Sequence, residues 1–209
     1  MRTSGGRTLR SGPWAGVTTH IHLIWRWLRP RRQFAADALH PVGHRLFGSA
    51  YLWKRQHELA IAAVEQALAL DPNEADTYYS LAEILNFSSR PEETPGLIEK
   101  AVRLNPHYPA RYLWCLGHAY YLLTRHDEAI AAFKRALARN PDFVPASGFL
   151  AIVYGELGLS KEAKAAGATA LRLSPQFSRH WIQQRLPYKD PAVLERVLNA
   201  LRPAVIEDR

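Results

Sequence analysis

Few residues of this chain stand at spacings that could do chemistry. His20 and His22, and again His40 and His44, have the spacing of metal ligands. No nearby acid or cysteine completes a site around the first pair. His40 precedes Pro41 at a helix start, so its side chain does not share a formed turn with His44. Cys115 lies between Trp114 and Leu116, where a small packed side chain is the ordinary explanation and a nucleophile is not. The paired acids Glu92-Glu93 and Asp127-Glu128 begin helical stretches, where carboxylates suit the positive helix end. Acid–base catalysis would need a cleft and shifted pKa values, and nothing in the pattern points to either. Gly-x-Ser-x-Gly, a glycine-rich phosphate loop and a metalloprotease signature are all absent from the sequence. The chain is therefore read as a non-enzyme, with no metal and no cofactor.

Any binding residues must be held by the elements around them, and composition bounds what those are. The 209 residues are 47% hydrophobic and 22% charged, enough to bury a core. One cysteine rules out an internal disulfide framework and suits a reducing, cytoplasmic setting. No run of about 18 apolar residues occurs, so no transmembrane helix is expected. The formal charge is +8, but it is unevenly placed. Arg2, Arg7, Arg10, Arg26, Arg29, Arg31 and Arg32 precede the first acid, Asp37. Setting those seven aside leaves 20 basic groups against 19 acidic ones. Residues 1–37 read as a basic, disordered tail, rich in glycine and without a helical period. Trp25-Arg26-Trp27 with Arg29, Arg31 and Arg32 could contact phosphates or an anionic bilayer.

The body has a period. Asp71-Pro72, Asn105-Pro106, Asn140-Pro141 and Ser174-Pro175 place prolines 34, 35 and 34 residues apart. Each proline ends a helical run, because proline cannot continue a helix and excludes its predecessor from the α region. Small residues recur in the first half of each unit at Gly48, Ala82, Gly117 and Ala151. In the second half they recur at Ala60, Thr94, Ala129 and Ala163, then at Ala67, Ala101, Ala136 and Ala170. Val64, Ile98, Phe133 and, as an exception, Gly167 lie between these two sets. Small residues on both helices let the backbones approach, and large ones fill the holes. One such hairpin cannot bury its apolar face alone, so the units must stack.

These positions closely resemble the tetratricopeptide repeat in length and order. The resemblance implies an all-α, right-handed superhelix of about four repeats (41–74, 75–108, 110–143, 144–177) within an array over residues 38–175. Capping helices are expected at 176–209. Asp190 reads as an N-cap, Pro191 as the first helical residue, and Leu186-Pro187-Tyr188-Lys189 as a turn. Two departures carry expectations. Pro95-Gly96 should delay or kink the second helix of repeat two, and Gly167 should loosen repeat four. Two stretches, Asn105 to Tyr120 and Leu186 to Arg202, are similar to the C-terminal repeat region of bacterial class III adenylate/guanylate cyclases. That likeness implies a scaffold or docking role without a catalytic domain, since residues 1–36 hold no acid and no strand pattern.

In this repeat family the first helices line the concave face. The positions that point there are Val42, Arg45, Ser49 and Leu52; Asp76, Tyr79, Glu83 and Asn86; Arg111, Trp114, His118 and Tyr121; Pro145, Gly148, Ile152 and Gly155. Arg45, Tyr79, Glu83, Asn86, Arg111, Trp114, His118 and Tyr121 are the candidate partner-binding residues, a set whose middle is rich in the aromatic, arginine and amide groups favoured at interface hot spots. A carboxylate clamp of the chaperone-binding kind is not expected. Arg45 fits it, but Ser49 and Glu83 replace its asparagines. The reading is a protein-interaction scaffold that docks a peptide or partner helix in the groove, with a homodimer as one permitted assembly. The alternatives are a regulatory portion of a cyclase, and nucleic-acid or membrane binding through the tail.

Overall fold

The computed structural model describes residues 40–204. The tail, with His20, His22 and the Trp25 cluster, lies outside them. Among the described residues there are ten α-helices and no strand. Four hairpins run in order: α1 (Pro41–Trp53) with α2 (His57–Leu70), α3 (Ala75–Phe87) with α4 (Thr94–Leu104), α5 (Ala110–Leu122) with α6 (His126–Arg139), and α7 (Val144–Glu156) with α8 (Ser160–Leu173). They stack into a superhelix completed by α9 (Arg179–Arg185), α10 (Pro191–Ala200) and a 3-10 turn, Arg202–Ala204.

Each hairpin follows from local sequence. Asp71, Asn105, Asn140 and Ser174 are all extended, with ψ between 88° and 95°, directly before the periodic prolines. The Asp71, Asn105 and Asn140 side chains each accept a bond from the N–H two residues on, at 3.0, 3.1 and 3.1 Å. So the Asx-Pro pair both stops one helix and turns the chain toward the next. Inside each hairpin the turn needs one left-handed residue: Arg55 (φ 59°), Ser89 (63°), Thr124 (58°) and Gly158 (72°). Glycine, which adopts this region freely, is used only in the last.

The signature residues are the core. Ala60, Ala67, Ala82, Ala101, Ala129, Ala136, Ala151, Ala163 and Ala170 are all wholly buried. At Gly117 an added Cβ would lie 2.7 Å from the Phe133 ring, so glycine there is what admits the aromatic knob. Thr94 stands at an alanine position but satisfies its hydroxyl on Ala82 O (3.2 Å) and Asn86 Oδ1 (2.7 Å). The Pro95-Gly96 expectation holds: a 3-10 turn, Pro91–Glu93, takes the place of the first helical turn, and α4 spans 11 residues where α2, α6 and α8 span 14. The Gly167 expectation does not hold. Gly167 is buried because the terminal 3-10 turn seats on it, with Ala204 Cβ 3.2 Å from where a Gly167 Cβ would be. The missing knob is a socket for that 3-10 turn.

Candidate functional site

The first helices α1, α3, α5 and α7 form the concave face, as their register requires. The groove they make is not empty. After α8 the chain turns back over it: Phe177 packs its ring on Gly148, where a Cβ would come within 2.7 Å, and α9 follows across the face. Ser178 caps α9 by accepting from Trp181 N at 3.1 Å. Residues 186–190 then run as a strap, not as the turn expected from Leu186-Pro187-Tyr188-Lys189. Leu186 is extended (φ −73°, ψ 118°), and the Lys189 N–H donates 2.8 Å to the carbonyl of Phe87, the last residue of α3. Arg55 Nη1 and Nη2 donate to the Tyr188 and Leu186 carbonyls, each at 3.2 Å. Asp190 then caps α10, accepting from Ala192 N at 2.9 Å, as its position before Pro191 suggests.

Between the groove floor and α9 lies a cavity of about 410 Å³. Tyr79, Glu83 and Arg111 line its polar side; Trp114, Phe149, Phe177 and Trp181 are among its apolar walls. The polar side is built as a relay of contacts. Arg111 Nη2 donates to Asp76 Oδ1 at 2.5 Å, and the Tyr112 hydroxyl donates to the same oxygen at 2.6 Å. Burial opposes ionisation of Asp76, but these donors outweigh it and hold its carboxyl below the usual range. The Arg111 guanidinium lies 5.2 Å from the Tyr79 ring centre, and Tyr79 stacks on Tyr112 at 5.3 Å. The Tyr79 hydroxyl donates to Glu83 Oε1 at 3.0 Å. Burial pushes the Glu83 carboxyl up to about 7, against the pull of Tyr79 and Arg111. Among the described residues the indole N–H of Trp114 is buried without a hydrogen-bond partner.

Of the eight residues expected to line the groove, Tyr79, Glu83, Arg111 and Trp114 come together on this cavity. The others are engaged elsewhere. Asn86 is 1% exposed and donates to Cys115 O at 3.0 Å, so it fastens α3 to α5. His118 is fully buried under the strap, with Nε2 2.8 Å from the Tyr188 hydroxyl; burial lowers its pKa to about 3, so it is neutral there. Tyr121 is fully buried, with the Arg196 guanidinium 4.5 Å from its ring centre. Arg45 lies 3.6 Å from Glu74. Sequence reasoning missed Phe149 and Phe177, which belong to the cavity, and Arg55, which belongs to the strap. The first two look like core positions. Arg55 sits in a turn, where nothing local marks it. Among the described residues no cluster of three or more His, Cys, Asp or Glu could hold a metal.

The fold and groove define a class: a solenoid of helical hairpins whose concave face offers an aromatic cavity. Its architecture is that of a tetratricopeptide-repeat solenoid. The Tetratricopeptide repeat family matches over residues 45–113 and again over 110–143. Among solved structures the chain resembles PilW, a type IV pilus biogenesis factor, at 18% identity and TM-score 0.66, covering 92% of this chain and 89% of that one. It resembles TTC0263, a thermophilic TPR protein of Thermus thermophilus, at 23% identity and TM-score 0.59, covering 90% of each. It also resembles YrrB, described as a TPR protein with an unusual peptide-binding site, at 19% identity and TM-score 0.52, covering 83% and 89%. At such identities these likenesses show the fold alone. No curated protein matches the chain. Tetratricopeptide-repeat proteins generally mediate protein–protein interactions. Among the described residues no helix is long and apolar enough to cross a membrane.

Proposed function

We propose that the chain is a non-enzymatic scaffold, acting in the cytoplasm, that takes an extended peptide of a protein partner into the groove. The cavity carries this reading. It is about 410 Å³, mostly apolar and rich in aromatic side chains, and its polar side offers a carboxyl, a guanidinium and, beside them, a buried indole N–H without a partner. Large apolar walls with a few convergent polar groups are how proteins bind side chains of a partner. Tyr79, Glu83, Arg111 and Trp114 are the residues assigned to the contact. Ala50 lines the same space, so Ala50→Trp should fill it. A displayed peptide library selected on the wild-type chain should enrich a family of sequences, and Ala50→Trp should lose them while its thermal midpoint holds. Equal enrichment by both proteins would remove the cavity from the interaction.

A second reading, a regulatory repeat portion associated with a class III cyclase, has one observation in its favour. The two stretches that resemble that family, residues 105–120 and 186–202, meet through the His118–Tyr188 bond of 2.8 Å. If it is right, adding the purified chain to the catalytic domain of a cyclase encoded beside it changes the turnover of that domain. An unchanged rate at saturating chain ends this reading.

A further inference from the structure

We infer that the strap, residues 186–190, is a built-in ligand, and that its slot accepts in trans an extended segment of like chemistry: a bulky apolar residue, proline, tyrosine, then a base. The inference rests on the groove reading above and adds the partner's chemistry to it. The slot has separate parts for main chain and side chains. Arg55 reads two carbonyls two residues apart, at 3.2 Å each, and the Phe87 carbonyl takes the N–H after the tyrosine at 2.8 Å. That carbonyl is available because α3 ends at Phe87 and leaves its last C=O groups without helical donors. The tyrosine is selected by shape and by one polar atom. Tyr188 is 4% exposed, its ring centre is 5.0 Å from that of Phe87, and its hydroxyl meets His118 Nε2 at 2.8 Å. A phenylalanine would leave that buried nitrogen unpaired. The base is read by Glu58, 2.7 Å from Lys189 Nζ.

The strap is held at its main chain and at the tyrosine, and weakly at its base. The Lys189 and Glu58 side chains are 50% and 76% exposed, and exposed pairs contribute little. Its leading residues, Leu186 and Pro187, border the cavity. A segment carrying a larger residue at that position gains packing the strap lacks. The strap has the advantage of its tether, which acts as an effective concentration on the order of millimolar. A natural partner must therefore exceed the strap's own contacts, and the cavity is where it does so.

The test uses the full chain and a labelled synthetic peptide copying residues 184–192. By fluorescence anisotropy, Tyr188→Ala should bind this peptide about tenfold or more tighter than wild type, because its slot is vacated. Adding Arg55→Ala, or using a peptide with alanine for tyrosine, should return binding to the wild-type level. Equal binding to wild type and Tyr188→Ala overturns the inference, as does no binding to a Tyr188→Ala chain whose circular dichroism is unchanged. If Tyr188→Ala does not fold, hydrogen exchange on the wild-type chain decides. Peptide at several millimolar should speed exchange of the Lys189 amide about tenfold, and an unchanged rate overturns the inference. Library enrichment that is lost in Ala50→Trp, alongside failure of these arms, leaves the groove reading standing and removes the strap. Loss of both removes both.

Discussion

Thr124 holds φ at 58° in the turn of the third hairpin, a region that costs a β-branched residue about 1–2 kcal/mol. Gly158 does the same work in the fourth hairpin without that cost. Thr124→Gly should therefore raise stability by about 1 kcal/mol, after the added chain entropy of glycine, as read by urea unfolding. A loss would mean that the Thr124 hydroxyl, 2.7 Å from the Leu123 carbonyl, matters more than the backbone strain. Glu83 gives a second residue-level expectation. Its folded-state carboxyl is raised from 4.5 to about 7, mainly by burial. Such a group supports folding while protonated, and that support fades as pH rises through about 7. Glu83→Gln stays neutral, so its stability relative to wild type should grow by about 1–3 kcal/mol between about pH 4 and pH 8. A difference that stays flat across that range would mean that Glu83 ionises normally.

The hairpins are the elements, and their packing rests on a size rule that glycine and aromatic residues enforce together. A Gly117 Cβ would lie 2.7 Å from Phe133, and Phe133 is fully buried. Gly117→Ala should cost about 1–3 kcal/mol by overpacking, and Phe133→Ala about 3–5 kcal/mol by leaving a cavity. The double variant should cost less than the sum, because the alanine methyl occupies part of the vacated space; additive losses in a thermal-unfolding cycle would argue against direct packing. This rule is also why the repeats are legible in sequence. Proline, alanine and glycine at fixed offsets act locally, through backbone angles and close approach, and a period repeats that local information four times. Pro95-Gly96 is readable for the same reason. Gly167 misleads because its partner, Ala204, lies outside the repeat that gives the pattern. The candidate site divides along the same line. Tyr79, Glu83, Arg111 and Trp114 follow from helix register alone. The burial of His118 and Tyr121 depends on Tyr188 and Arg196, many residues away, which no period encodes.

At the scale of the molecule, the return of the chain end changes what a solenoid ordinarily is. Stacked repeats contact only their neighbours, so their ends open independently. Here Arg55 and Glu58 of the first hairpin hold residues 186–189, which follow the last one. The closure depends on Gly155, where a Cβ would lie 1.8 Å from the Ala200 carbonyl oxygen and must push α10 away. Gly155→Ala should therefore loosen both ends together: hydrogen exchange should rise in α10 and in α1, with α5 and α6 little changed. Faster exchange confined to α10 would show that the ends are not coupled.

The same closure sets an order in time. The contacts of Arg55 with the strap span 131 and 133 positions along the chain, whereas the hairpin contacts are local. Local contacts form first, and a chain made from its N-terminus folds its early units before the late ones exist. During synthesis the slot on Phe87 and His118 is complete before residue 188 has been added. For that interval the strap is not there to cover the groove, and on the proposed reading a partner at hand would have nothing to displace.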